Sequence, residues 1–206
     1  MNNVIPKFFF VDTETNGLDP KIQSPWQIAG IVKSKLFKFD KEINITMCPF
    51  SPETSSPKAL ELGRVNGEQL TIDHLKKMQT SLKALNELSS FLSESCDTFD
   101  KNDKLIIVGY NVNFDKDMLY HFWKRNNNNY FFSFFHKYVI DVYAFIQPLW
   151  LLGVIDTVNC KLETVCNFYN IEIDAHDALS DIKATMKLFD IVVAPYLRSF
   201  FGKENK

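Results

Sequence analysis

Asp12 and Glu14 stand two residues apart in Asp12-Thr13-Glu14-Thr15-Asn16-Gly17-Leu18, directly after the apolar run Lys7-Phe8-Phe9-Phe10-Val11. Side chains alternate across a strand, so two acids at that spacing share one side while Thr13 points to the other. Like charges brought together at the end of a buried strand stay ionised only with a cation between them, and such oxygen ligands suit Mg²⁺ or Mn²⁺. The same spacing also fits a pair of solvated turn acids. Asp115 follows the apolar run Leu105–Val108 by way of Gly109-Tyr110-Asn111-Val112-Asn113-Phe114, where it is either a further ligand or a helix cap. Asp181 lies beside the stripe Ala178, Ile182, Met186, and an acid at the edge of a buried face needs a partner. His176, just ahead of that helix, has the right ordinary pKa to take a proton from water, or is simply a loop residue.

These side chains need a scaffold to bring them together. Lys7 to Val11 predicts a buried strand ending in a turn, so the first two acids sit at its exit. Trp26 to Val32 and Glu42 to Cys48 predict two more strands by sequential antiparallel connections. Leu75, Met78, Leu82, Leu85, Leu88 and Leu92 keep helical spacing and predict one long amphipathic helix with these residues in the core. Leu105–Val108 reads as a buried strand, Asp115 to Lys124 as a helix and Tyr138 to Ile140 as a short strand. The last helix follows Ala178, Ile182, Met186, Phe189 and Val193, capped by Asp177 and stopped by Pro195. Three strands followed by alternating strands and helices predict an α/β fold, a mixed sheet with helices on both faces.

The bulk composition narrows the choice of partners. A chain of 206 residues, 46% hydrophobic and 23% charged, is expected to form a single domain over 1–206, with a tail from 196. Twenty-three basic against 25 acidic side chains give a net charge of −2, which argues against a broad basic surface; an anionic substrate needs a local device such as a metal. Cys48, Cys96, Cys160 and Cys166 show no C-x-x-C pairing and read as free thiols. The apolar run Val142 to Ile155 is too short to span a bilayer and the start lacks a signal sequence, so no membrane partner and a cytoplasmic location are expected. The aromatics Tyr130 to Phe135 after the run Asn126–Asn129 read as a core cluster in preference to a base-stacking loop.

Taken in order, Asp12-Thr13-Glu14, Asn111-x-x-Phe114-Asp115 and His176-x-x-x-x-Asp181 make the chain resemble the DEDDh family of 3′ to 5′ exonucleases, which includes proofreading subunits, ribonuclease T and oligoribonucleases. The segment Ala59 to Gly67 is similar to the family's linker, and the resemblance spans about residues 8 to 193. It implies an RNase H-like mixed five-stranded sheet with its second strand antiparallel. It also implies two divalent metal ions, Mg²⁺ or Mn²⁺: one held by Asp12, Glu14 and Asp181, the other by Asp12 with Asp115. His176 is then the general base, Leu18 an apolar wedge between the last two bases, and Asn111 a contact to the terminal nucleotide.

The expected activity is release of nucleoside 5′-monophosphates from 3′ ends of single-stranded DNA, with a DNA polymerase chain as a further partner in proofreading. An exoribonuclease, a non-catalytic nucleic-acid- or polymerase-binding fold and, less well matched, a haloacid-dehalogenase-like phosphatase are the alternatives. Two features depart from the pattern: Tyr110 stands where many members have His, and Trp26 to Val32 lacks a frequent glutamate. Asp177 stands where a tyrosine branch would carry Tyr, which favours the histidine class.

Overall fold

The computed structural model describes residues 6–35, 40–174 and 177–201. Its centre is a five-stranded sheet in the order β3-β2-β1-β6-β7, formed by β1 (Lys7–Thr15), β2 (Pro25–Ser34), β3 (Lys41–Thr46), β6 (Leu105–Gly109) and β7 (Phe135–Asp141). Two-residue strands β4 (Arg64–Val65) and β5 (Glu68–Gln69) form a separate hairpin. β2 runs antiparallel to both β1 and β3, whereas β1, β6 and β7 are parallel. The parallel strands therefore deliver their carboxyl ends to one edge, the usual place for a ligand in such sheets.

Alternation along β1 divides the core in two. Phe9 and Val11 pack with Leu85, Leu88 and Leu92 of α3 (Ser81–Ser93) and with Leu119, Phe122 and Trp123 of α4 (Asn113–Arg125). Phe10 faces the other way, toward Val142 and Ile146 of α6 (Val142–Leu151), Val165 of α7 (Leu162–Phe168), and Ala178, Ile182 and Leu188 of α8 (Ala178–Leu188). Helices thus cover both faces, as the α/β reading expects. The aromatic run also behaves as core material, because Phe131, Phe134 and Phe135 are buried while Tyr130 and Phe132 stay exposed. All four cysteines are free, and Cys96 and Cys166 are buried.

Five expectations are corrected. β1 does not end at Val11: its pairing with β2 continues through Glu14 opposite Gln27, with a bulge between Glu14 and Thr15. The acids lie inside a strand whose neighbour β6 pairs only as far as Phe10. The long amphipathic helix is two, α2 (Ile72–Lys77) and α3, because Thr80 caps α3 through Lys83 N–H and Gln79 C=O is taken by Cys48 N–H at 2.8 Å. Leu82, expected in the core, is 53% exposed. The strand at Tyr138–Ile140 is longer, Phe135–Asp141.

Finally, Pro195 does not stop the last helix. A π turn at Phe189–Val193 lets Ala194 N–H reach Phe189 C=O, and α9 (Ala194–Phe201) continues with Pro195 in its first turn, where its missing N–H costs least. Among the described residues no helix is long and apolar enough to cross a membrane.

Gly109 ends β6 in a tight place. A Cβ there would lie 2.8 Å from Val112 Cγ2 and 3.0 Å from the Val11 carbonyl oxygen. Gly109→Ala is expected to destabilise the protein by about 1 to 3 kcal/mol through this overpacking, measured by urea denaturation.

Candidate active site

The acids converge because two packing faces of one strand end at the same edge. Phe10, Asp12 and Glu14 alternate toward the α8 side, and Asp12 sits opposite the small Ala29. Thr13 faces the α4 side with Phe9 and Val11. Since β6 has already stopped pairing, another acceptor can take the Thr13 N–H. Asp115, in the first turn of α4 and only 4% exposed, supplies it: its Oδ1 accepts from Thr13 N–H at 2.9 Å and from Thr13 Oγ1 at 2.7 Å. No side chain caps α4, so the capping alternative for Asp115 gives way to this tie across the sheet.

Asp181 comes from α8, whose N-terminus Asp177 caps by accepting from Ser180 N–H at 2.8 Å, as expected. The electrostatics place the acids together. Asp12 is held well above the ordinary carboxylate range, first by burial and then by the charges of Asp115, Glu14, Asp181 and Asp177. Glu14 is pushed up to about 7, first by burial and then by Asp181, Asp115 and Asp177. Asp115 is also raised to about 7, by burial, against the lowering effect of the two Thr13 hydrogen bonds.

Every charged group acting on Asp12 and Glu14 among the described residues is acidic. Hard oxygen donors buried beside one another's charges fit a divalent cation. Among the described residues no three of these side chains stand as a ready-made ligand group for a metal ion.

Leu18 is 81% exposed in the turn after β1, and Asn111 is exposed after β6 with φ of 61°. Both stand at the carboxyl ends of adjacent strands. His176 lies outside the described residues.

Asp141 was missed as a site residue. It ends β7 opposite Gly109, accepts from Asn111 N–H at 2.8 Å and Tyr143 N–H at 3.1 Å, and adds to the charge that raises Asp115. The signal was legible as a helix cap, an aspartate between the run Tyr138–Ile140 and the apolar start of α6. Thr13 is the other omission. Because it orients an acid, Thr13→Val is expected to weaken divalent-metal affinity about 10- to 100-fold, read by titrating Mn²⁺ against intrinsic fluorescence.

A mixed sheet whose parallel strands end in this acidic cluster has the RNase H-like α/β fold of the DEDDh 3′ to 5′ exonucleases. Comparison with protein families bears this out: the model described as RNase_T, exonuclease, matches residues 9–189, and the chain belongs to that family. Comparison with the curated proteins gave no match.

The fold is similar to that of E. coli Exonuclease I in complex with a dT13 oligonucleotide, at 21% identity and a TM-score of 0.74, covering 98% of this chain and 44% of that one. It is similar to the zinc-bound form of the E. coli ExoI-ssDNA complex at 22% identity and a TM-score of 0.72, covering 95% and 42%. A third similar structure is SSB/Exonuclease I in complex with the inhibitor CFAM, at 21% identity and a TM-score of 0.71, covering 95% and 43%. The chain thus spans less than half the length of these proteins.

Proposed function

We propose that the protein is a metal-dependent 3′ to 5′ exonuclease that removes nucleoside 5′-monophosphates from single-stranded DNA. The observation that carries this reading is the concentration of Asp12, Glu14, Asp115 and Asp181 at one sheet edge, where the charges acting on Asp12 among the described residues are all acidic. Oligonucleotide complexes of the similar Exonuclease I structures support the polymer substrate. They favour DNA over the exoribonuclease alternative.

Asp12, Glu14 and Asp181 would hold one divalent ion, Mg²⁺ or Mn²⁺, and Asp12 with Asp115 would hold a second. When bound, such ions supply charge stabilisation for the attacking and leaving oxygens and acidify water. Thr13 keeps Asp115 turned toward β1 through its two hydrogen bonds. Leu18, standing free of the turn, enters between the last two bases, and Asn111 contacts the terminal nucleotide. His176 takes the proton of the attacking water. The water oxygen bonds to phosphorus, the P–O3′ bond breaks, and the shortened strand leaves with a 3′-hydroxyl.

The test is a time course on 5′-labelled DNA and RNA oligonucleotides with Mg²⁺, Mn²⁺ or EDTA, comparing wild type with Asp12→Ala and His176→Ala. Stepwise 3′ shortening of DNA that needs metal and both residues is expected. Binding without shortening by folded, metal-supplied protein would favour the non-catalytic alternative, and release of inorganic phosphate from a monoester would favour the phosphatase.

A further inference from the structure

The turn between β1 and β2 carries Leu18 past the end of β1, and an exposed segment of this kind keeps one shape only where contacts fix it. Asn16 and Ser24 close its neck: Asn16 N–H donates to Ser24 C=O at 3.2 Å, and Asn16 Oδ1 accepts from Ser24 N–H at 2.8 Å. Inside it the Asp19 carbonyl accepts from Ile22 N–H at 3.0 Å and from Gln23 N–H at 2.7 Å. The Gln23 side chain accepts from Asp19 N–H at 3.0 Å and donates to Thr54 C=O at 2.9 Å. These bonds give the turn its shape, but none of them reaches the helix that carries Asp115.

Arg125, the last residue of α4, makes that link. Its Nη2 donates to Pro20 C=O at 2.9 Å, and its Nη1 donates to Gln23 C=O at 3.2 Å and to Ile22 C=O at 3.3 Å. The guanidinium also lies over the Phe50 ring, 5.6 Å from its centroid. A planar, branched cation suits three carbonyls at once, whereas a lysine ammonium offers a single centre. In the first turn of the same helix, Asp115 holds Thr13 by two hydrogen bonds. Helix α4 is therefore fastened to the chain on both sides of Leu18, at Thr13 before it and at Pro20 to Gln23 after it, across about 15 Å of helix.

We propose that Arg125 is a positioning residue for Leu18: gripping the turn from the far end of α4, it sets where that side chain stands relative to the acids. This rests on the exonuclease reading and on the part Leu18 has in it. Arg125 touches no reacting atom and acts through the backbone of the turn. Without the grip the turn keeps its internal bonds but takes up other positions, so Leu18 meets the strand less often in the right place.

The experiment compares wild type, Arg125→Gln, Arg125→Lys, Leu18→Ala and the double variant Leu18→Ala with Arg125→Gln. Each is assayed on a (dT)10 oligonucleotide and on the p-nitrophenyl ester of thymidine 5′-monophosphate, whose single base leaves nothing for a wedge to separate. The ratio of kcat/KM for the oligonucleotide to that for the ester is expected to fall about 10- to 100-fold in Arg125→Gln, chiefly through KM, the size of loss that a small misplacement produces. Arg125→Lys should recover part of it, and Leu18→Ala should lower the ratio by itself. In the Leu18→Ala background, Arg125→Gln should change the ratio by less than about 3-fold, because residues that act through one contact are not additive. Mn²⁺ affinity should stay at the wild-type value in Arg125→Gln, in contrast to Thr13→Val. The ratio is insensitive to any unfolded fraction, which cuts neither substrate, and if Arg125→Gln does not fold the same cycle is read with Arg125→Lys.

An unchanged ratio in Arg125→Gln, an equal loss on both substrates, or the full loss repeated in the Leu18→Ala background would overturn the positioning role while leaving the exonuclease intact. Wild type that cuts neither substrate would overturn the exonuclease reading, and the role of Arg125 with it.

Discussion

Asp12→Asn is expected to lower shortening of a 3′ end by at least about 1,000-fold in kcat/KM, while making the metal-free protein more stable. The loss follows because Asp12 serves both proposed ions, and several kcal/mol of charge stabilisation depend on holding them. The gain in stability follows from the same geometry. Asp12 is raised by burial and by four acidic neighbours, so its charge is a net cost to the folded state when no cation offsets it. An uncharged amide of nearly the same shape removes that repulsion. We expect a stabilisation of about 2 kcal/mol, which for a chain of this size is ~4 to 8 °C in Tm. Thermal denaturation in EDTA measures it, and a variant less stable than wild type under those conditions would contradict the electrostatic account.

The second large effect is a stability that falls with pH in the absence of metal. Glu14 and Asp115 both titrate near 7 in the folded protein, whereas their ordinary values are 4.5 and 3.8. Between about pH 4 and 7 the folded state therefore binds more protons than the unfolded state. The contribution of these groups is fully present below their ordinary range and is lost as pH rises through about 7. In EDTA, Tm should drop from pH 5 to pH 8. Mg²⁺ or Mn²⁺ should restore it at pH 8, where the carboxylates are ionised, and do little at pH 5, where protons compete for the same oxygens. Glu14→Gln should flatten the profile. A Tm that rises steadily from pH 5 to pH 8 in EDTA, with no response to metal, would count against the clustered-acid site.

Much of this arrangement was legible from local pattern. Phe8 to Val11 announced β1, the two-residue spacing put Asp12 and Glu14 on one side, and the stripe Ala178, Ile182 announced α8 with Asp177 as its cap. Where the pattern failed, a contact from elsewhere in the chain had decided the matter. Met78 continues the helical spacing from Leu75, yet the chain breaks there because Gln79 C=O is claimed by Cys48 N–H, from the segment after β3. Leu82 keeps the periodicity but the broken helix turns it outward. Pro195 reads as a stop, and a preceding π turn absorbs it.

By itself the sequence determined the kinds of donor, their order along the chain and the strand or helix that carries each, since residue type and a period of 2 or 3.6 are properties of neighbours. Only the tertiary structure decided which oxygens meet. Thr13 and Asp115 are separated by 102 residues, and their hydrogen bonds exist because β1 outruns β6 and leaves a backbone N–H for a side chain to take. The double role of Asp141 and the grip of Arg125 on the turn after β1 arise in the same way. Each is a junction of segments far apart in sequence, and no periodicity within either segment records the other.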